Sequence, residues 1–234
     1  MNRDARIAGL LYLTVVATGI FCLGYVPSQL NVAGDPQATI GNILANESLF
    51  RAGIAAFMVK QLAFLCLPLV LYRVFQDIDR SAAVAMVLFA VVSVPLALVA
   101  LGNRLDVLAL LFEPGLAKAI PSLQLQSLAA HALESYRSDL VAARLFWGLW
   151  LLPFGYLVFK SGRLPKLLGG MLILGCAGYL VDVFGALLVP GYPASGFSSY
   201  ALLPASVGEI GACLWLLLLG VRVPLPVTRI EDTP

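Results

Sequence analysis

The chain has 234 residues, of which 60% are hydrophobic and only 12% are charged, whereas a soluble domain carries roughly 25% charged residues. A composition this apolar leaves too little polar surface to cover a water-facing globule, which excludes an ordinary soluble domain and predicts a protein of the lipid bilayer. The net charge of +2 gives no indication of a nucleic-acid partner.

Six apolar segments are long enough to cross a membrane. A span needs about 20 mostly apolar residues, and it must be helical because lipid offers the backbone no hydrogen-bond partners. The first segment is too long for the apolar region of a cleaved signal peptide, so we predict a retained helix. The predicted spans cover residues 6–26, 51–74, 82–102, 140–160, 166–189 and 201–221. We therefore predict an all-α fold, with one transmembrane bundle over 1–222 and a disordered cytoplasmic tail over 223–234.

The distribution of Lys and Arg predicts the orientation of this bundle. The two termini and the two short turns hold nine of the fifteen basic residues, namely Arg3, Arg6, Arg73, Arg80, Lys160, Arg163, Lys166, Arg222 and Arg229. The opposite loops and helix ends are longer but hold only Arg51, Arg104, Lys118 and Arg137. Because basic residues accumulate on the cytoplasmic side, we expect both termini in the cytoplasm of a bacterial cell and a multi-pass protein of its inner membrane.

The long outer loops carry helical patterns of their own. Asp35 before Pro36 is typical of a helix start, and the segment 121–137 separates an apolar stripe from a polar one. We expect short amphipathic helices here, at the membrane surface or capping the bundle. At the same level, Arg51 and Arg104 are interpreted as interfacial anchors, and Trp147 and Trp150 as interfacial or lipid-facing side chains.

Four charged residues lie within predicted spans: Lys60, Arg144, Asp182 and Glu209. A charge near the bilayer centre costs about 2.5–3.5 kcal/mol on insertion scales, so its presence is a functional hypothesis. Counted from the outer helix ends, all four lie roughly 6–14 Å deep. They could form two structural salt bridges between helices, or line a polar cavity, open to the outside, that binds a small charged or polar ligand or relays protons. Arg144 could also extend to the interface.

Small residues surround two of these charges. Gly208 and Gly211 flank Glu209, which allows another helix to approach and desolvate the carboxylate. The glycines of the fifth span, which include Gly170, Gly175 and Gly178, are likewise interpreted as a packing face. The four cysteines lie singly in apolar runs without metal-ligand spacing, so we expect neither a metal site nor a cofactor.

A set of short motifs in a fixed order resembles the family of bacterial membrane proteins known as domain of unknown function 4386. The motifs are Gly34-Asp35, Asn42-Ile43, Ser48-Leu49-Phe50-Arg51, Leu71-Tyr72-Arg73, Gly155-Tyr156-Leu157, Ser161-Gly162, Leu164-Pro165-Lys166, Gly178-Tyr179-Leu180, Asp182, Gly208-Glu209 and Leu214-Trp215. They cover most of the chain except the third span and the loop after it. The resemblance implies the topology and a bacterial origin, and it supplies no catalytic residues.

Three functional hypotheses follow from these features. The first is a non-catalytic membrane protein that acts through a partner or through a small polar ligand held by the four-charge cluster in the outer half of the bundle. The second is a small transporter or proton-coupled carrier that uses the same cluster and would need a homodimer. The third is a membrane enzyme acting on lipid substrates. It ranks last because no catalytic constellation is visible.

Overall fold

The computed structural model describes residues 2–192 and 196–222, and within these ranges every regular element is a helix. The predicted tail over 223–234 lies outside the described residues. The helices are α1 (Asn2–Leu30), α2 (Pro36–Ala45), α3 (Glu47–Phe75), α4 (Arg80–Phe112), α5 (Pro114–Ala119), α6 (Ser122–Ser161), α7 (Lys166–Leu188), α8 (Phe197–Ala201) and α9 (Leu203–Leu218). A π-helical segment, Ile20–Tyr25, interrupts α1. Helix α6 is divided at Trp150 into the α-helical parts Ser122–Leu149 and Leu151–Ser161.

In the described part of the chain, five helices are long and apolar enough to cross a membrane: α1, α3, α4, α6 and α7. They correspond to the first five predicted spans. The sixth predicted span coincides with α9, which is apolar but has only 16 residues. At 1.5 Å per residue, this helix is about 24 Å long, less than the ~30 Å of a typical hydrocarbon core.

Two helices, α4 and α6, extend ten or more residues beyond their predicted boundaries. Helix α4 runs ten residues past the predicted boundary at 102, to Phe112. The helix predicted over 121–137 is not a separate element, because α6 continues from Ser122 through Leu149. The stretch 122–147 contains neither Gly nor Pro, so nothing in it terminates a helix. The two elongated helices pack along each other, which gives their polar residues a partner surface.

The bundle has two different ends. At the turn end lie the short connections 76–79 and 162–165, and the N–H of Arg222 donates to the carbonyl of Arg163 there at 3.1 Å. The Arg163 guanidinium binds both oxygens of Asp77 at 2.5 and 2.8 Å and also donates to the carbonyl of Val74. At the loop end lie the long connections between α1 and α3, α4 and α6, and α7 and α9.

Glycines set the distance between several helices. A Cβ added at Gly175 of α7 would stand 2.6 Å from the Cα of Ala205 in α9, and one at Gly178 would collide with the carbonyl of Ala201. By contrast, a Cβ at Gly170 would meet nothing within 4 Å. The predicted packing face is therefore confirmed at Gly175 and Gly178, whereas Gly170 lies on the opposite, open side of α7.

Helix α6 lies in the centre of the bundle. Its Trp150 is 1% exposed and packs on Tyr12 of α1 and Phe64 of α3, with ring centroids 6.0 and 5.1 Å apart. Trp147 is also buried. The prediction of an interfacial or lipid-facing position for Trp147 and Trp150 was wrong, because α6 is surrounded by other helices at this level.

Candidate functional site

Lys60, on α3, is buried among aromatic rings. Its Nζ lies 3.8 Å from the ring centroid of Trp147 and within 6 Å of the rings of Phe57 and Phe64. A cation above an aromatic face is attracted by the ring quadrupole, and the attraction grows when water is excluded. Within the described part of the chain, no carboxylate lies within 4 Å of this ammonium group. The aromatic residues therefore provide its immediate surroundings.

Arg144 and Asp182 form an ion pair between α6 and α7. Arg144 Nη1 lies 3.6 Å from Asp182 Oδ2; the Asp182 side chain is 4% exposed and the Arg144 side chain 38% exposed. The pair is thus asymmetric, with a buried anion and a partly exposed cation. Gly148, one turn along α6, allows the close contact, since a Cβ there would stand 2.5 Å from the Cβ of Tyr179 on α7.

Glu209, on α9, accepts a hydrogen bond from the hydroxyl of Tyr12 at 3.2 Å. Tyr12 is fully buried, so its hydroxyl requires a partner. The predicted approach of another helix at the flanking glycines is present, because α7 contacts both of them. A Cβ at Gly208 would lie 3.0 Å from the backbone nitrogen of Leu172, and one at Gly211 would lie 2.5 Å from Leu168 Cδ2.

Two adjoining cavities connect these residues. The first cavity has a volume of about 340 Å³ and is lined by Arg104, Tyr136, Arg144 and Asp182, among others. The second cavity, of about 180 Å³, is lined by Tyr12, Lys60, Trp150 and Glu209, among others. Leu23, Trp147 and Tyr179 line both. The structure therefore divides the four charges predicted from the sequence between two cavities that share a wall.

Arg104 is a residue of this site that the sequence interpretation misplaced. It was expected to anchor the interface at a helix end, but its side chain is buried, with Cζ 4.2 Å from the ring centroid of Tyr136. The reason is that α4 does not end near residue 102. The polar group Asn103, Arg104 and Asp106, within an otherwise apolar stretch from 82 to 112, was the signal that could have identified it. Arg51, by contrast, is exposed and pairs with Glu47 at 2.6 Å.

Within residues 2–192 and 196–222, no three His, Cys, Asp or Glu side chains are grouped so that they could hold a metal ion. The cysteines, which are Cys22, Cys66, Cys176 and Cys213, are free thiols. The chemistry of this site is therefore that of buried cations, carboxylates and phenols arranged around cavities.

Long apolar helices packed through glycines and a central aromatic helix define a multi-pass helical membrane protein. The chain belongs to the family described as Domain of unknown function (DUF4386), whose model matches residues 7–220. The resemblance inferred from the motifs is thereby confirmed. The chain is also similar to an uncharacterized protein of the archaeon Archaeoglobus fulgidus, with 30% identity over 107 residues that make up 44% of this chain and 57% of that relative. The chain thus matches little more than half of that relative's length. No solved structure matches the chain.

Proposed function

We propose that this protein binds a small polar ligand in the two adjoining cavities and has no catalytic activity of its own. The observation that carries the proposal is the placement of Lys60 and Glu209. Each charge in a membrane-spanning helix costs about 2.5–3.5 kcal/mol unless it is compensated. A purely structural role would be served by direct pairing, yet these two residues line a cavity without forming an ion pair. A cavity with a few convergent polar groups is the usual form of a ligand site.

The proposal includes the orientation of the bundle. The basic residues of the turn end support a cytoplasmic position for the two termini, in the inner membrane of a bacterium. Helix α9 would then be a sixth span, supported by its glycine contacts along α7. With this orientation, the loop end and the first cavity lie outside the cytoplasm, and α2 lies among the outer loops.

Native mass spectrometry of the detergent-solubilised protein tests ligand binding. We expect a non-covalent adduct on wild-type protein taken directly from membranes. The adduct should be lost in Lys60→Leu and kept in Arg51→Gln, a control at the same end of the bundle outside both cavities. An identical adduct on Lys60→Leu, or no adduct on the wild type, would contradict the proposal.

Cysteine labelling tests the orientation. In a variant with all four native cysteines replaced by Ala, Leu140→Cys places a thiol in the first cavity, and Val92→Cys is a lipid-facing control because Val92 is 41% exposed. A membrane-impermeant thiosulfonate added to intact cells should modify only the Leu140→Cys protein. A thiol at Ser161, at the turn end, should react only after permeabilisation. The reverse pattern would refute the orientation.

A carrier is the second candidate, and the π-helical segment Ile20–Tyr25 favours it. Such segments are rare and are frequently found at functional sites. Here the segment borders the ligand space, since its Leu23 lines both cavities. Proteoliposomes that accumulate the ligand identified by mass spectrometry would establish transport, whereas saturable binding without accumulation would favour a receptor or a binding protein. A carrier of this size would act as a homodimer.

A further inference from the structure

The first cavity has an excess of positive charge. Among the described residues, three arginines line it, Arg104, Arg137 and Arg144, and Asp182 is the single acidic residue of the lining. Arg137 lies at the exposed margin and pairs with Glu134 at 3.2 Å. Arg104 and Arg144 lie deeper, on α4 and α6, and each contributes a planar group with several N–H donors.

Arg104 is a buried cation of this cavity whose hydrogen-bonding capacity is largely unused. Its side chain is 6% exposed, and its Nε and Nη1 atoms are buried without a hydrogen-bond partner among the described residues. The guanidinium lies over the ring of Tyr136 and 5.8 Å from the ring of Phe50. These aromatic faces stabilise a cation, but they do not provide the oxygen acceptors that its N–H groups need. Among the described residues, no carboxylate lies within 4 Å of this guanidinium group. Buried donors without acceptors are rare in native proteins and often mark the position of a bound water or ion.

Arg144 has donor capacity to spare as well. Its 3.6 Å separation from Asp182 is longer than a hydrogen bond, and Asp182 Oδ2 accepts no hydrogen bond from any described residue. The aspartate therefore offsets part of the Arg144 charge without occupying its N–H groups. Two guanidinium groups thus border one cavity, and the described residues supply neither with a hydrogen-bonded carboxylate.

We propose that the first cavity binds an oxyanion, either a carboxylate or a phosphate group, between Arg104 and Arg144. This inference rests on the proposed function and names the chemical class of the ligand. The guanidinium fork matches the geometry of these groups and binds them with charge-assisted hydrogen bonds. The apolar part of the ligand lies against Leu23 and Leu140, beside the wall that the two cavities share. A water-soluble anion and the headgroup of an anionic lipid both have this chemistry.

Tryptophan fluorescence measures the binding directly, because Trp147 lines the first cavity. The full chain in a neutral maltoside detergent is titrated with inorganic phosphate and, separately, with short-chain dihexanoyl phosphatidylglycerol. We expect a saturable change with at least one probe. The affinity should fall at least tenfold in Arg104→Gln, less in Arg104→Lys, and less than twofold in Arg51→Gln. Saturation by phosphate identifies a free anion as the source, and saturation by the lipid alone identifies a headgroup.

Size-exclusion chromatography establishes that each variant is folded; Arg144→Gln replaces Arg104→Gln if the latter aggregates. Unchanged affinity in the folded arginine variants, or no saturation by either probe, would overturn the anion site. The mass-spectrometry experiment separates this outcome from failure of the proposed function. A neutral adduct that is lost in Lys60→Leu but kept in Arg104→Gln would refute the oxyanion and leave the ligand-binding function in place.

Discussion

The ion pair between Arg144 and Asp182 has a consequence for stability that a double-mutant cycle can measure. Removing one member of a fully buried pair typically costs 3–5 kcal/mol, because the remaining charge is left uncompensated. Here only the aspartate is buried, at 4% exposure, while the arginine side chain is 38% exposed. Solvent screening of the arginine lowers the expected coupling to about 1–3 kcal/mol.

The asymmetry in exposure predicts which single substitution is worse. Arg144→Met leaves the Asp182 carboxylate buried without its partner, so we expect it to lower the free energy of unfolding by about 2–3 kcal/mol. Asp182→Asn leaves an arginine that can turn towards water, so we expect a smaller loss of about 1 kcal/mol. The double variant should be more stable than Arg144→Met alone, because it contains no uncompensated charge.

The assay is reversible unfolding in mixed dodecyl-sulfate and maltoside micelles, followed by tryptophan fluorescence. The four proteins of the cycle are compared at one ionic strength, since salt screens the exposed partner. If the two single effects add to within about 0.5 kcal/mol in the double variant, the residues are not energetically coupled. If Asp182→Asn is the more damaging change, the argument from exposure is wrong.

Three further predictions concern other parts of the bundle. Gly175→Ala should destabilise the protein by about 1–3 kcal/mol through overpacking against α9. The control Gly170→Ala, on the open side of the same helix, should be neutral or slightly stabilising, and equal melting temperatures for the two variants would contradict the packing. Hydrogen bonding from Arg163 lowers the pKa of Asp77. The stabilisation from this ion pair should therefore be complete above pH ~4 and should decline as the pH falls through the lowered folded-state pKa. When unfolding is measured from pH 5 to 2.5, the free energy of unfolding should decline less steeply in Arg163→Gln than in the wild type, and identical curves would refute the linkage. Glu209→Gln keeps an acceptor for the Tyr12 hydroxyl and should unfold within about 1 kcal/mol of wild type, yet lose the ligand adduct that Glu209→Asp partly retains; an unchanged adduct on the Gln protein would exclude a role for the charge.

Much of the fold follows from local sequence. The predicted spans over 51–74 and 166–189 differ from the observed helices by at most four residues at either end. A run of about 20 apolar residues must be helical in lipid whatever it contacts, so composition alone predicts it. The ends of α4 and α6 were predicted wrongly, because a helix with polar residues continues only if a neighbouring helix covers them.

The candidate site was only partly predictable. The cost of charge in lipid singled out Lys60, Arg144, Asp182 and Glu209, and the structure brings them to two adjoining cavities. Arg104 was missed because the boundary of its helix was misjudged. Its burial depends on Tyr136, which belongs to another helix.

The sequence by itself determined that this chain resides in a membrane, approximately where its helices run, and which charges are costly there. Each of these depends on the free energy of transferring single residues from water to lipid, a local quantity. Only the tertiary structure decided the partner of each charge. Glu209 accepts a hydrogen bond from Tyr12, 197 positions away in the chain. Lys60 lies over the ring of Trp147, and no carboxylate of the described residues forms an ion pair with it. Such contacts depend on how the helices pack. Glycines set that packing at positions such as Gly175, where an added Cβ would collide with a neighbouring backbone.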